Sequence, residues 1–410
     1  MIRAISIGLA FGAALASAAD AGTLRVRTSL SLSGGWSDAT GFGTSLGLQN
    51  RFNKDASLRL MWDHASGPFR FEVHSQTNAT QGHNLPLGIG ALGVVPAPVP
   101  ASLLDLSQNW YLDSNTAITN TIDRLNVQWS SANVVVKLGR QAITWGNGLF
   151  FHPTDIVAPF APNAIDTAYK AGADMVYAQY LFDSGADIQA IYVPRSTTLG
   201  GAVMFNSSTY ALRGKVTMGS LDTALMLARD RGDSVAGLSL SGALGGASWN
   251  AEALHWALAD GTRVPSWLFN ISNFGTLGDW NISYFGEIYH NGFGAGASVE
   301  YSALPTTLTK RMSTGQVFFP GRDFLALGAQ LQVSADLSIA PSAIVSLNDR
   351  SSLGTLTMNY TLGDNTNLVL NVSSPFGADG TEFGGRETAV GSGIFLGPDR
   401  SMTLQLIHFF

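Results

Sequence analysis

The chain has 410 residues, of which 45% are hydrophobic and only 13% charged, with 46 glycines, no cysteine and a formal net charge of −6. Soluble domains carry about 25% charged residues, so a fraction this low points to a protein with two kinds of solvent. The lack of cysteine excludes a disulfide framework, thiolate catalysis and Cys-ligated zinc, and the acidic balance lacks the clustered positive charge that nucleic acid requires.

The N-terminus reads as an export signal. Arg3 is the positive n-region, residues 5–15 are a short apolar core, and Ala16-Ser17-Ala18 is an A-x-A-type cleavage site. Beyond it no stretch supplies the ~20 consecutive apolar residues of a membrane helix. Residues 24–34 read as a first strand and 35–55 as a loop, within which residues 45–49 are open to being a short strand. Residues 57–64 and 69–76 form a hairpin across Ala65-Ser66-Gly67-Pro68. Residues 77–120 break the rhythm with Pro86, Pro96, Pro98 and Pro100, and a connection of this length is functional or flexible rather than filler. The apolar run from Leu85 to Leu104 lies within it.

From there the pattern alternates. Ile122, Arg124, Asn126, Gln128 and Ser130 share one face, and Leu125, Val127 and Trp129 the other. Arg213 and Lys215 share a face with Thr209, Ala211 and Thr217, opposite Tyr210, Leu212, Val216 and Met218. Two cations on one face and none on the other mark two environments. Segments near 236–241, 280–289, 325–333, 337–347, 355–362 and 367–372 repeat the pattern, with Leu, Ile and Val opposed by Ser, Thr, Asn and Gln. The chain ends on such a strand: Met402, Leu404, Leu406, His408 and Phe410 oppose Thr403, Gln405, Ile407 and Phe409. Polar faces poor in charge suit a lumen better than bulk water. In hydrocarbon an open sheet edge leaves unpaired backbone groups, so the sheet must close. The fold class is therefore all-β: a transmembrane antiparallel barrel of about 18 strands, between about 16 and 18. Residues 1–18 are the signal and 19–410 a single barrel.

Turn lengths set its orientation. Tight turns at 183–185, 219–220, 245–246, 276–279, 334–336 and 363–365 fall at the periplasmic end. Long loops at 77–120, 145–172, 195–207, 291–321 and 375–400 fall at the extracellular end. Eight tryptophans, Trp62, Trp110, Trp129, Trp145, Trp249, Trp256, Trp267 and Trp280, are candidates for the interfacial girdles.

One segment stands apart. Gly139-Arg140-Gln141 ends a strand, Trp145-Gly146 follows, and then Pro153-Thr154-Asp155. This pattern resembles a broad group of Gram-negative outer-membrane barrels, among them alginate-export-like porins and related uncharacterised barrel families. The likeness covers roughly residues 124–174. It implies an outer-membrane pore or transport barrel and brings no substrate with it. Strict alternation places Lys137 in the lumen with Val136 and Leu138 outside, which would put Arg140 in lipid at a cost of about 2–4 kcal/mol. A bulge at Gly139 that turns Arg140 inward is the expected remedy.

Residues 149–172 are expected to fold inward as a constriction loop. Arg124, Lys137, Arg140, Gln141, Arg213 and Lys215 would then form one polar wall. Asp155, Asp166, Lys170, Asp174, Asp222, Glu252 and Glu287 would face it or pair with it, either setting selectivity or holding the loop down. No histidine spacing supports zinc, no Gly-rich stretch follows a strand and opens a helix, and no local arrangement singles out a nucleophilic serine. The function expected is passage of small polar solutes through an outer-membrane channel, with no cofactor, metal or catalysis. The rivals are a specific transporter or exporter of an apolar or polymeric ligand, and a plugged structural or adhesive barrel. Expected partners are outer-membrane lipid, the barrel-assembly machinery through the strand ending in Phe410, and a small solute, with no nucleic acid. A homo-oligomer stays open.

Overall fold

A computed structural model describes residues 22–83, 103–196, 202–296, 301 and 303–410. The chain opens with β1 (Thr23–Trp36), β2 (Asn50–Ser66), β3 (Phe69–Gly82), a short β4 (Ser107–Leu112), β5 (Thr116–Ser130), β6 (Val134–Gln141), β7 (Ala173–Leu181) and β8 (Asp187–Val193). A run of hairpins follows: β9 (Thr209–Met218), β10 (Leu221–Asp230), β11 (Asp233–Leu244), β12 (Ala247–Ala257), β13 (Arg263–Leu277) and β14 (Trp280–His290). The rest are β15 (Asp323–Gln332), β16 (Leu337–Ser346), β17 (Ser352–Gly363), β18 (Thr366–Phe376), the minimal β19 (Arg386–Glu387) and β20 (Phe395–Leu396), and β21 (Arg400–Phe409). Among the described residues two loops carry α-helices, α1 (Phe42–Ser45) and α2 (Thr306–Ser313), and a third carries a single 3-10 turn at Phe205–Ser207.

Sequential strands pair antiparallel, and the last strand closes on the first. Leu30 lies opposite Leu406 and Leu32 opposite Leu404, while the other edge of β21 pairs with β18. Eighteen strands close the barrel. β4 adds only to the end of β5 nearest the long loops, and β19–β20 form a separate hairpin. The expected tight turns all lie at one end and the long loops at the other, which is called the upper rim below.

Alternation decides what each strand turns inward. Along β13, Trp267, Phe269 and Ile271 are about 40% exposed (40%, 42% and 42%), whereas Leu268 and Asn270 between them are 1% and 0% exposed. The outward set is apolar around the barrel: Leu30, Leu225, Leu227, Leu327 and Leu404 are all exposed. Such an exterior belongs in hydrocarbon, where only a closed ladder satisfies every backbone group. Trp145 and Trp256, expected in the girdles, are instead buried within the lumen.

Two boundaries differ from the sequence reading. The expected break at residues 77–120 is narrower, because β3 runs on to Gly82 and β5 starts at Thr116. Here both faces are polar: Asn120 Nδ2 donates to Ser75 Oγ and Thr77 Oγ1, each at 2.9 Å, so alternation fades while the ladder continues. The open strand at residues 45–49 is not formed; α1 ends at Ser45 and β2 begins at Asn50. The expected signal and most of the apolar run from Leu85 lie outside the described residues.

Candidate functional site

The connection between β6 and β7 folds into the lumen and crosses it. Two carboxylates on the far wall hold its tip. Glu287 of β14 accepts three consecutive backbone N–H groups, from Leu149 (2.6 Å), Phe150 (2.9 Å) and Phe151 (2.8 Å). Glu252 of β12 accepts the N–H of Asn147 at 2.5 Å and both the N–H and hydroxyl of Thr154 at 3.3 and 2.6 Å. Asn270 on β13 donates to Asn147 O and to Glu287 Oε2, both at 3.1 Å. Loop N–H groups with no ladder partner must find an acceptor, and an ionised carboxylate is the strongest acceptor available. The tip depends on two glycines. A Cβ on Gly148 would lie 1.7 Å from Phe151 O, and Gly146 has φ +106°. Phe151 stacks on Tyr289 with ring centroids 4.5 Å apart, and Phe150 meets Phe285 at 5.4 Å.

The returning limb leans on the opposite wall. Lys170 pairs with Asp155 inside the loop and donates to Ile143 O at 2.5 Å. Arg124 Nη2 donates to Lys170 O at 2.7 Å. Arg27 of β1 pairs with Asp166 at 2.6 Å, and the Arg59 guanidinium lies 4.3 Å over the Tyr169 ring. Burial beside Lys170 pushes the His152 imidazole down to about 4, so the tip carries no histidine charge at neutral pH.

The structure redistributes the thirteen charged and polar residues singled out from sequence. Glu252 and Glu287 are 2% and 0% exposed and bind loop backbone, and Glu252 also lies within electrostatic reach of Arg213. Asp155 meets Lys170, and Asp166 meets Arg27, which the sequence reading had not included. Lys137 pairs with Glu72 at 2.8 Å, and Gln141 folds back onto Lys137 O and Met175 O at 3.2 and 3.3 Å. Arg140 is not turned inward by a bulge at Gly139. The registers to β5 and β7 run unbroken through it, placing Arg140 opposite Leu125 and Asp174. The guanidinium is sealed where it stands, with Asp174 at 2.8 and 3.0 Å and Leu104 O at 2.6 Å. The bulge lies on β5 instead, where the register to β3 shifts around Asp123. Ile122 therefore leaves the face of Arg124.

Arg213, Lys215 and Asp222 stay open to the lumen below the loop. Lys215 and Asp222 pair at 3.1 Å with side chains 38% and 40% exposed, while the Arg213 guanidinium lies in the field of Asp187 and Glu252. With Asn147, Gly148, Ser239, Ser241 and Asn250 they line a cavity of about 440 Å³ beneath the loop tip.

Sequence reasoning missed the inward arginines of the first two strands. Arg27 and Arg59 are cross-strand partners, each 4% exposed. The alternating Leu24-Arg25-Val26-Arg27 was the available signal. It also missed how much of the upper lumen is filled. Trp145, Ile156 and Val157 of the loop pack against Met175, Ile191, Met226, Leu254 and Trp256 of the wall and against Leu308 of α2. A second cluster gathers Phe151, Leu268, Tyr289, Phe324 and Phe383.

No family model matches the chain, and no curated protein matches it in sequence. Solved structures match its fold over nearly its whole length. OccAB1 of Acinetobacter baumannii aligns with 95% of this chain and 96% of its own, at TM-score 0.56 and 9% identity. OccAB4 of the same organism covers 95% and 98%, at 0.53 and 8%. Wzi of Escherichia coli, described as an outer-membrane carbohydrate-binding β-barrel involved in capsule assembly, covers 96% and 85%, at 0.55 and 12%. At these identities the likeness is one of fold: a closed outer-membrane-type barrel.

Proposed function

We propose that the protein is a porin-like channel of a bacterial outer membrane that lets small polar solutes pass down their gradients. The long loops lie outside and the tight turns in the periplasm. The observation that carries this reading is the loop between β6 and β7, which crosses the lumen from the Arg27–Asp166 pair to Glu252 and Glu287 and leaves polar space beneath it. A loop bound at both ends narrows a barrel without sealing it, as selectivity by charge and size requires. The exposed apolar band supplies the lipid contact, and β21 with the Phe410 that follows it is the segment offered to the assembly machinery. Membership of the alginate-export-like group belongs to the same proposal.

Recording from the refolded protein in planar bilayers tests it. Ohmic single-channel steps are expected, and they should enlarge when Glu252 and Glu287 are both replaced by alanine. A membrane left silent at all voltages by both proteins would overturn the channel. One observation favours a plugged barrel instead, namely the two apolar clusters that occupy much of the upper lumen, and that silent outcome is its signature.

A further inference from the structure

The two halves of the upper lumen differ in kind. On the β7–β13 side the inward residues are sealed against the loop: Met175 is 2% exposed, Ile191 5%, Met226 4% and Leu254 3%. On the β17–β3 side Thr357, Gln405, Thr403, Ser31, Asn78 and Thr80 are half-buried and uncharged, and Asp55 among them accepts from Thr80 Oγ1 at 2.7 Å with no cation paired to it among the described residues. Cross-strand registers set several of these side by side, with Ser31 opposite Gln405 and Asp55, and Asp55 opposite Thr80. The cations of this wall are neutralised, since Arg27 pairs with Asp166, Arg59 with Asp123 and Arg51 with Asp399. The limb of the loop facing this wall is the exposed one. Ile165 is 45% exposed, and Tyr169 sits on the two arginines.

We infer that solute crosses along the β17–β18–β21–β1–β2–β3 wall, past Tyr169, and that this lane takes uncharged polyhydroxylated solutes. The inference rests on the channel reading and deepens it. Hydroxyl and amide side chains both donate and accept, so they can exchange hydrogen bonds with a row of solute hydroxyls as these shed water. An anion gains no unpaired cation along the lane, meets the Asp55 carboxylate there, and loses hydration in a narrow passage. The cavity under Asn147 is then a side niche: its floor is polar, but its roof is the packed loop.

The chain has no cysteine, so single cysteines can be introduced into the folded channel and modified in place. Ser31→Cys and Thr403→Cys treated with a bulky methanethiosulfonate should lose current by about tenfold, and Ser241→Cys in the niche should lose little. In liposome swelling, glucose should enter roughly ten times faster than gluconate, which is close in size but anionic. Block at Ser241→Cys with none at Ser31→Cys, or gluconate entering as fast as glucose, would overturn the lane while leaving a channel. A wild-type protein giving neither current nor swelling would overturn the channel reading itself.

Discussion

Glu287 accepts three successive loop N–H groups from a fully buried position, so its removal is the most direct way to free the constriction. Glu287→Ala strands those donors. Each unsatisfied buried group costs about 1–3 kcal/mol, so loosening by several kcal/mol is expected. Protease nicking within residues 142–172 and noisier open-channel current are the measurements. Glu287→Gln keeps an acceptor and should fall between. Arg140 offers a different test. Breaking its buried pair by Arg140→Leu should cost about 3–5 kcal/mol, whereas Arg140→Leu with Asp174→Leu should recover most of it, read from the temperature at which the barrel loses its compact electrophoretic form. At this scale the sequence was a poor guide. It marked Arg140 as a charge in an unusual place and set Glu252 and Glu287 to face or pair with the cations, yet Arg140 meets Leu104 O as well as Asp174, and the two glutamates hold loop backbone at Asn147 and 149–151. Side-chain periodicity carries no information about those atoms.

Among the elements, the loop between β18 and β21 has a proton-dependent seat. The Glu382 N–H donates to Asp349 at 2.7 Å and the Phe383 N–H to Ser351 Oγ at 3.1 Å, and Phe383 meets Phe319 edge-on at 5.4 Å. Burial pushes the Glu382 carboxyl up to about 8, with neighbouring Asp349 adding to the rise. A carboxyl with a raised folded value binds its proton more tightly when seated than when released. Seating is therefore strongest at acid pH, weakens as pH climbs from the ordinary carboxylate range to about 8, and is flat above that. Protection factors of residues 380–384, corrected for the intrinsic pH dependence of exchange, should be higher at about pH 5.5 than at about pH 8.5, and Glu382→Gln should abolish the difference. The strands were far more legible than such loops. β9, β11 and β14–β18 follow from two-residue periodicity, because one face meets lipid and the other does not. Legibility failed where that contrast fails: above Ser75, where both faces are polar, and at Asp123, where an inserted residue resets the parity.

For the whole molecule, closure is the property on which everything else depends. Among the described residues, β21 alone pairs with both β18 and β1. Removing residues 400–410 leaves two open edges whose backbone groups lipid cannot satisfy. The expected outcome is aggregated chain with no heat-modifiable band and no conductance, rather than a smaller working barrel. The closing strands were legible in the sequence from the alternation of residues 402–410 against residues 24–34. The asymmetry of the lumen was not, because Met175, Ile191 and Met226 look like ordinary strand residues until the loop is seated on them.

The pairing of first strand with last also imposes an order in time. β1 is made first, and one of its edges has β2 within a few residues. Its other edge has no partner until β21 arrives, so until residues 400–409 are made that edge can be captured by another copy. A delay before β21 is made prolongs the exposure, so slow translation of the codons just ahead of residue 400 should raise the aggregated fraction while leaving the finished barrel unchanged.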